Sequence, residues 1–324
     1  MSKILIKIIL MLTASLMLIV IIGVTAIVKS KNIIMIETNT NKSLVEFFSI
    51  SVDPDKKYIG NTENNSFNYQ FENFVIDEKT WWGKMAKTFI NKDWYQNIAT
   101  PKTRIVIIWP GQRKEEIIKH IGTVLAWNYK QRERFSDLIE NATPKMKEGK
   151  YFPGRYIFNH NATPEEVFDA INKTFQQFVL KRYTPEISQK VPLKQALTIA
   201  SLLEKEADNF DNMREISGVI WNRLFIDMPL QLDASLQYVK GSLNSSKTWW
   251  PKVKSSDKFT KSPYNTYLNK GLPPAPIGNP SDLAIIAALN PAKTDCLFYF
   301  HDNAGKYYCS KTYEEHKKKI KQKL

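Results

Sequence analysis

The stretch with the clearest chemical content is LKQALTIASLLEKEA, residues 193–207, where two glutamates stand two positions apart at the end of an apolar run. On a helix at about 100° per residue, Leu193, Ala196, Leu197, Ile199, Ala200, Leu203 and Ala207 share one broad apolar arc. Lys194, Thr198, Ser201 and Lys205 lie opposite, and Glu204 and Glu206 fall on the two shoulders. A carboxylate beside packed aliphatic side chains loses hydration, so its pKa rises and it can hold a proton near neutral pH. A general acid needs that property. The same glutamates also read as boundary residues exchanging ion pairs with Lys205 or Arg214. Helical geometry does not choose between Glu204 and Glu206, because they sit symmetrically.

Further candidates for chemistry lie downstream. SPYNTYLNKGLPPAPIGNP carries Tyr264, Asn265, Thr266 and Tyr267, and its Pro273 and Pro274 fix φ and remove two amide donors. A stiff loop with aromatic, amide and hydroxyl groups suits carbohydrate, and it reads equally as a proline-ordered surface loop. In LQLDAS, Gln231 and Asp233 alternate, so on a strand both face the same way. Asn222 and Arg223 end an amphipathic helix, where they either orient a carboxylate or cap the helix. The four histidines, His120, His160, His301 and His316, are scattered with no metal-ligand spacing, so no metal cluster is expected.

Charge narrows the partner classes. Lys plus Arg number 46 and Asp plus Glu 32, a formal net charge of +14. Part of the excess is local: Lys3, Lys7, Lys29 and Lys31 flank an apolar run, and HKKKIKQK lies close to the last residue. Such a chain fits nucleic acid, anionic lipid headgroups or an acidic polymer. Zinc spacing, RNA-binding aromatics and a DNA-binding helix pair are missing, which points away from nucleic acid. Cys296 and Cys309 flank LFYFHDNAGKYY, a hairpin pattern with its turn near Asp302 to Gly305. A two-residue turn at Asp302-Asn303 sets the cysteines opposite and allows a disulfide; a one-residue slip separates them as buried thiols.

The elements that must position these groups follow from periodicity and punctuation. Ile8 to Val28 is free of charge over 21 residues, a length of roughly 31 Å that spans a bilayer. It reads as an uncleaved single-pass transmembrane helix, with residues 1–7 a short cytoplasmic tail and the globule outside. Residues 29–100 form a membrane-proximal subdomain of unclear type, with IIMIETN a strand, NTENNSFNYQ a loop and EKTWWGKMAKTFINKDWYQ an amphipathic helix. Residues 101–190 read as an α/β linking subdomain: the strand RIVIIW, a Pro110-Gly111 turn, the helix RKEEIIKHIGTVLAW and the bent strand YFPGRYIF. A helix with a capping box at Thr163 then follows, its apolar face Val167, Ile171, Phe175 and Phe178. Residues 191–324 hold the acid-bearing helix, the helix MREISGVIWNRLF, LQLDASLQY as a strand, the proline loop, a short helix capped by Ser281 and the cysteine hairpin. Strands and helices mix without regular alternation. The expected class is therefore α+β, not a wound parallel sheet.

Taken in order, EKEA, WNRL, LQLDAS, YNTY with GLPPAPI, and NPAKTDCLFYF over roughly residues 190–316 resemble the endolytic lytic transglycosylases of bacterial cell-wall peptidoglycan, the YceG-like membrane proteins. More loosely, IIWPGQ is similar to the family's Pro-Glu-Gly turn and YFPGRY to its Phe-Pro-Asp-Thr-Tyr. Trp109-Pro110-Gly111 lacks the glutamate and Gly154-Arg155 replaces Asp-Thr, departures in segments expected to be structural. The family's LysM-like glycan-binding pattern is not legible in residues 30–100. The resemblance implies that Glu206, the second glutamate of Glu-Lys-Glu, is catalytic and that Glu204 supports it. It makes Asn222, Gln231, Asp233, Tyr264, Asn265, Thr266 and Tyr267 candidates to hold the sugar's acetamido and hydroxyl groups.

The implied reaction cuts the MurNAc-GlcNAc β-1,4 bond within nascent strands, leaves 1,6-anhydroMurNAc ends and needs no cofactor. The implied partners are peptidoglycan glycan strands, the membrane and, by analogy, peptidoglycan synthases. The implied place is the cell inner membrane, with residues 191–324 as a catalytic domain on the periplasmic side. Other functions compatible with the same residues are a non-catalytic anchored glycan-binding protein, a basic membrane-surface scaffold, and a muramidase that hydrolyses with Asp233 as second carboxylate.

Overall fold

The computed structural model describes residues 47–61, 103–243 and 248–324. The apolar run 8–28, the strand expected in IIMIETN and the helix expected in EKTWWGKMAKTFINKDWYQ lie outside the described residues. Among the described residues, no helix is long and apolar enough to cross a membrane. Contacts divide them into a smaller unit, 103–106 with 154–161, and a larger one, 47–61, 107–153, 162–243 and 248–324. The larger unit runs through residue 190 without a division there.

In chain order, β1 (Val52–Asp53) and β2 (Tyr58–Ile59) form a minimal antiparallel pair. Next comes β3 (Thr103–Ile108), which pairs with β4 (Gly154–Asn159) in a separate two-stranded sheet. Between those strands, α1 (Lys114–Val124) begins with the Glu116 side chain accepting the Arg113 amide, and α2 (Tyr129–Asn141) begins at a reciprocal capping box of Asn128 with Gln131. They bury Ile117, Ile121, Phe135 and Ile139. Helix α3 (Pro164–Phe178) starts as its sequence predicts, with Thr163 accepting from the Glu166 amide and proline in the first turn. Then follow α4 (Pro185–Lys190), α5 (Leu193–Glu206), α6 (Phe210–Phe225), α7 (Asp233–Gly241) and α8 (Asp282–Leu289). The antiparallel strands β5 (Phe298–His301) and β6 (Tyr307–Ser310) precede α9 (Tyr313–Lys323). The class is mixed α+β, as expected.

The core gathers around α5, which packs on α6 and α8. Helix α8 reads DLAIIAAL, apolar on every side, and such a helix belongs in an interior. Its Ile285 and Leu289 are fully buried, each worth about 1.5–3 kcal/mol as an upper bound. Trp221 of α6 is buried against it and donates from its indole to the Ala288 carbonyl. Two expectations about α5 need correction. Thr198 and Ser201, assigned to a polar face, are 2% and 1% exposed. Each hydroxyl donates back to the helix, Thr198 to the Lys194 carbonyl and Ser201 to that of Thr198, and Ser201 also accepts the Ile277 amide from the proline loop. Local bonding hides their polarity, so α5 is wrapped on more sides than its pattern suggests.

LQLDASLQY is not a strand. Gln231 has a φ of 52° and Asp233 opens α7. Thr266 supplies the partners a neighbouring strand would have given: its carbonyl accepts the Gln231 amide and its hydroxyl accepts the Leu232 amide. The alternating burial of Leu230 and Leu232 comes from that turn. The cysteines are joined, with Cα atoms 5.8 Å apart. They are not set opposite by a two-residue turn, since Tyr299 is the cross-strand partner of Cys309 and the turn closes from Asp302 to Lys306.

Three segments distant in sequence meet at Asn279, whose side chain is fully buried. Its oxygen accepts the Tyr151 amide, and its nitrogen donates to the Gln112 carbonyl and to Glu148. The Pro110-Gly111 turn completes the knot. Gly111 has a φ of 74°, so glycine is favoured there by conformation, and a Cβ would also press on the Lys205 and Glu204 side chains at 3.2 Å and 3.4 Å.

Glu148 accepts from the Lys114 amide and is pushed up to about 8, first by burial and then by the Glu115 charge. An unfolded chain releases that proton near ~4.3. Across the interval the folded state binds more protons, so stability falls as pH rises toward 8. Glu148→Gln is expected to flatten this slope, read as the difference between urea midpoints at pH 5 and pH 8.

Candidate active site

Helix α5 ends on Glu206, and the chain leaves it at Ala207 in an extended conformation. One carboxyl oxygen, Oε2, accepts the Tyr299 hydroxyl at 2.9 Å; the other, Oε1, accepts the Ala234 amide at 3.2 Å. Ala234 lies in the first turn of α7, where amides have no partner within the helix. Glu206 therefore serves as a cap from another helix, and the helix end favours its ionised form. Burial acts the other way and dominates, raising the pKa of Glu206. Tyr299 and Ala234 lower it, and the charge of Asp233 raises it again. The residue as a whole is half-buried. A group so placed can hold a proton, give it up, and be stabilised as a carboxylate afterwards.

Asp233 is exposed, and the Tyr267 hydroxyl donates to it at 2.6 Å. Burial raises the pKa of Tyr267, with the Asp233 bond second, so this phenol stays a donor. Burial also raises Tyr299, with the Glu206 charge second. Glu206, Asp233, Tyr267 and Tyr299 thus form one connected cluster contributed by α5, α7, the proline loop and β5.

Glu204 is engaged differently. Its Oε2 accepts both the amide, at 2.9 Å, and the hydroxyl, at 2.7 Å, of Ser281, the residue that caps α8. Burial raises its pKa and the Ser281 bonds counteract. The symmetry left by helical geometry is broken by these partners: Glu204 secures a helix start, and Glu206 faces a second carboxylate and two phenols.

The remaining sequence candidates divide between framework and cluster. Asn222 donates to the carbonyls of Thr294 and Cys296, holding the approach to β5. Asn265 is fully buried and donates to the carbonyls of Lys258 and Thr260, while accepting the Tyr267 amide. Thr266 is buried against Ser235 and the Leu232 amide. These three use their side chains on backbone groups and, for Thr266, on the Ser235 hydroxyl. Tyr264 leans on Tyr238, ring centroids 4.8 Å apart. Gln231 is exposed two residues before Asp233.

One side chain of the cluster, Tyr299, escapes the sequence reading. Tyr299 carries a faint signal, an aromatic at an alternating position of a short strand beside a cysteine. Arg223 stands in the sequence as an alternative cap or carboxylate partner; in the fold its Nε donates to the Leu297 carbonyl at 2.6 Å, and Nη1 donates to Leu230. Among the described residues, no three His, Cys, Asp or Glu side chains gather as metal ligands. A cavity of about 400 Å³, lined by Gln195, Trp221, Leu224, Phe225 and Leu272 among others, opens beside the first turn of α5. Eleven residues along a helix put it roughly 16 Å from Glu206, and it shares no residue with the acid cluster.

The chain is similar to known proteins over most of its length. The model of the YceG-like family matches residues 61–322. Over 174 residues the chain is 34% identical to the "Endolytic murein transglycosylase" of Streptococcus pneumoniae serotype 2 (strain D39 / NCTC 7466), covering 53% of this chain and 31% of that protein. Over 185 residues it is 38% identical to the protein of the same name from Bacillus subtilis (strain 168), covering 56% and 49%. The matched stretch thus spans between about a third and a half of these curated relatives. A solved structure of a yceG-like protein from Listeria monocytogenes aligns with a TM-score of 0.56 at 30% identity, covering 74% of this chain and 81% of the other.

Proposed function

The chain belongs to the YceG-like family, and from the acid it carries we propose that it cuts peptidoglycan as a lytic transglycosylase with Glu206 as both acid and base. The observation that carries this reading is a single carboxyl, raised by burial and held by one donor on each oxygen, at the half-buried end of a buried helix. The names of its curated relatives support the substrate class.

In the proposed reaction neutral Glu206 protonates the glycosidic oxygen between N-acetylmuramic acid and N-acetylglucosamine, and the bond from that oxygen to C1 breaks. The sugar's acetamido group shields the charge that develops at C1. Ionised Glu206 then takes the proton of the C6 hydroxyl, whose oxygen closes onto C1 as a 1,6-anhydro ring. One carboxyl thus gives and regains one proton, and no water enters. In this reading Tyr267 and Asp233, hydrogen-bonded to each other, meet the sugar beside the acid.

A second reading rests on Asp233. An exposed carboxylate beside a raised one is the pairing that hydrolytic glycosidases use, so hydrolysis with Asp233 as base is the rival. The apolar run 8–28 supports a membrane anchor, and the Cys296–Cys309 bond suits an oxidising compartment outside the cytoplasm. Under this proposal the enzyme meets strands as synthases extend them. The test is incubation with purified peptidoglycan followed by mass spectrometry. Anhydromuramyl ends are expected; ends heavier by one water favour the hydrolytic rival, and uncut glycan rules out both.

A further inference from the structure

We propose that Tyr299 is a positioning residue for this reaction, its phenol holding the Glu206 carboxylate, once the first proton has left, in the orientation from which it takes the second. The inference rests on the transglycosylase reading and deepens it. A carboxyl that acts first as acid and then as base must stay in register with two different oxygens of the sugar. Two donors fix the Glu206 plane, one on each oxygen. The Ala234 amide belongs to a helix backbone and cannot turn. The Tyr299 hydroxyl can rotate, donating to the carboxylate and accepting from the protonated acid, so it serves both forms.

The phenol is itself held from three directions. Tyr299 sits in the β5–β6 ladder opposite Cys309. Cys309 is bonded to Cys296 at the entry to β5. Arg223 grips the Leu297 carbonyl two residues before Tyr299. A ladder, a covalent bridge and a buried guanidinium converge on one hydroxyl that, among the described residues, makes no other hydrogen bond.

The charged and titratable groups around Glu206 come from each neighbouring element. From α7, Asp233 opposes ionisation of Glu206, and Tyr267 of the proline loop anchors Asp233. Arg223 of α6 acts on the phenols of Tyr299 and Tyr267. Lys205, next in sequence, lies over the Trp250 ring at 4.2 Å, and the charges that act on it are those of Glu116 and Glu204. That leaves Tyr299, among the described residues, as the side-chain donor on Glu206. Its removal takes a stabilising bond from the ionised form, so the proton affinity of Glu206 rises.

The test is Tyr299→Phe, which keeps the ring and its packing. Because the first step needs protonated Glu206, the alkaline limb of the kcat profile is expected to move to higher pH. The maximum of kcat is expected to fall about 10- to 100-fold, from loss of a hydrogen bond to a charged group, with KM little changed. An independent readout is the 13C titration of the Glu206 carboxyl by NMR, expected to move up with the kinetic limb. A lower kcat with the limb and the titration both unmoved overturns the inference while leaving the transglycosylase reading intact. A wild-type chain that leaves glycan uncut overturns that reading and this role with it.

Discussion

Glu206→Gln is expected to abolish anhydromuramyl products while leaving the folded protein intact. The substitution changes one oxygen to a nitrogen and keeps the side chain's length and shape. Turned with its oxygen toward the Ala234 amide, the new side chain keeps that bond and offers its NH2 to the Tyr299 oxygen, so both polar contacts survive. Its buried position already favours a neutral group, so stability is expected to stay the same or rise slightly. What disappears is the exchangeable proton. An amide neither protonates a glycosidic oxygen nor removes a hydroxyl proton, and each of those transfers is worth about 10²–10⁴-fold. Product release followed by mass spectrometry, with circular dichroism as the folding check, reads both halves. Anhydro products made at the wild-type rate by this variant would remove Glu206 from the chemistry.

Much of the framework is legible in the chain because it is written locally. The capping box at Thr163, the Ser281 cap and the apolar periods of α5 and α6 depend on residues within a turn or two of each other. The details that define the cluster depend on residues far apart. Tyr299 meets Glu206 across 93 positions, and Ser281 meets Glu204 across 77. No period or spacing reports such pairings, so a helix carrying two equivalent glutamates is as far as local reasoning goes. The misreading of LQLDAS has the same origin. Leu230 and Leu232 alternate with polar residues, but over three positions a left-handed turn buries the same side chains as a strand, and Thr266, 34 residues on, decides the matter. Thr198 and Ser201 depart from their pattern for the opposite reason: their hydroxyls bond locally and so disappear from the polar surface.

Arg223→Met is expected to lower the thermal midpoint by about 5–10 °C and to disable the site without touching substrate. Arg223 is only 6% exposed, and its guanidinium donates to the carbonyls of Leu297, Leu230 and Pro229 while lying 5.3 Å from the Phe298 ring. Those carbonyls belong to the two segments that deliver donors to Glu206: residues 229–230 lead into α7 and its Ala234 amide, and Leu297 leads into β5 and Tyr299. Methionine preserves much of the apolar packing but leaves the acceptors stranded, at roughly 1–3 kcal/mol for each that stays buried. With about 2–4 °C per kcal/mol for a domain of this size, two such losses account for the expected shift. Lysine is no remedy, since a point ammonium cannot reproduce a planar fork that bridges two segments. Assayed well below its own midpoint, the variant is expected to remain folded yet form anhydro ends much more slowly, because both donors on Glu206 have lost their common anchor. An unchanged midpoint would show that the two segments hold each other without Arg223. Full activity in a destabilised variant would show that the geometry at Glu206 does not depend on them.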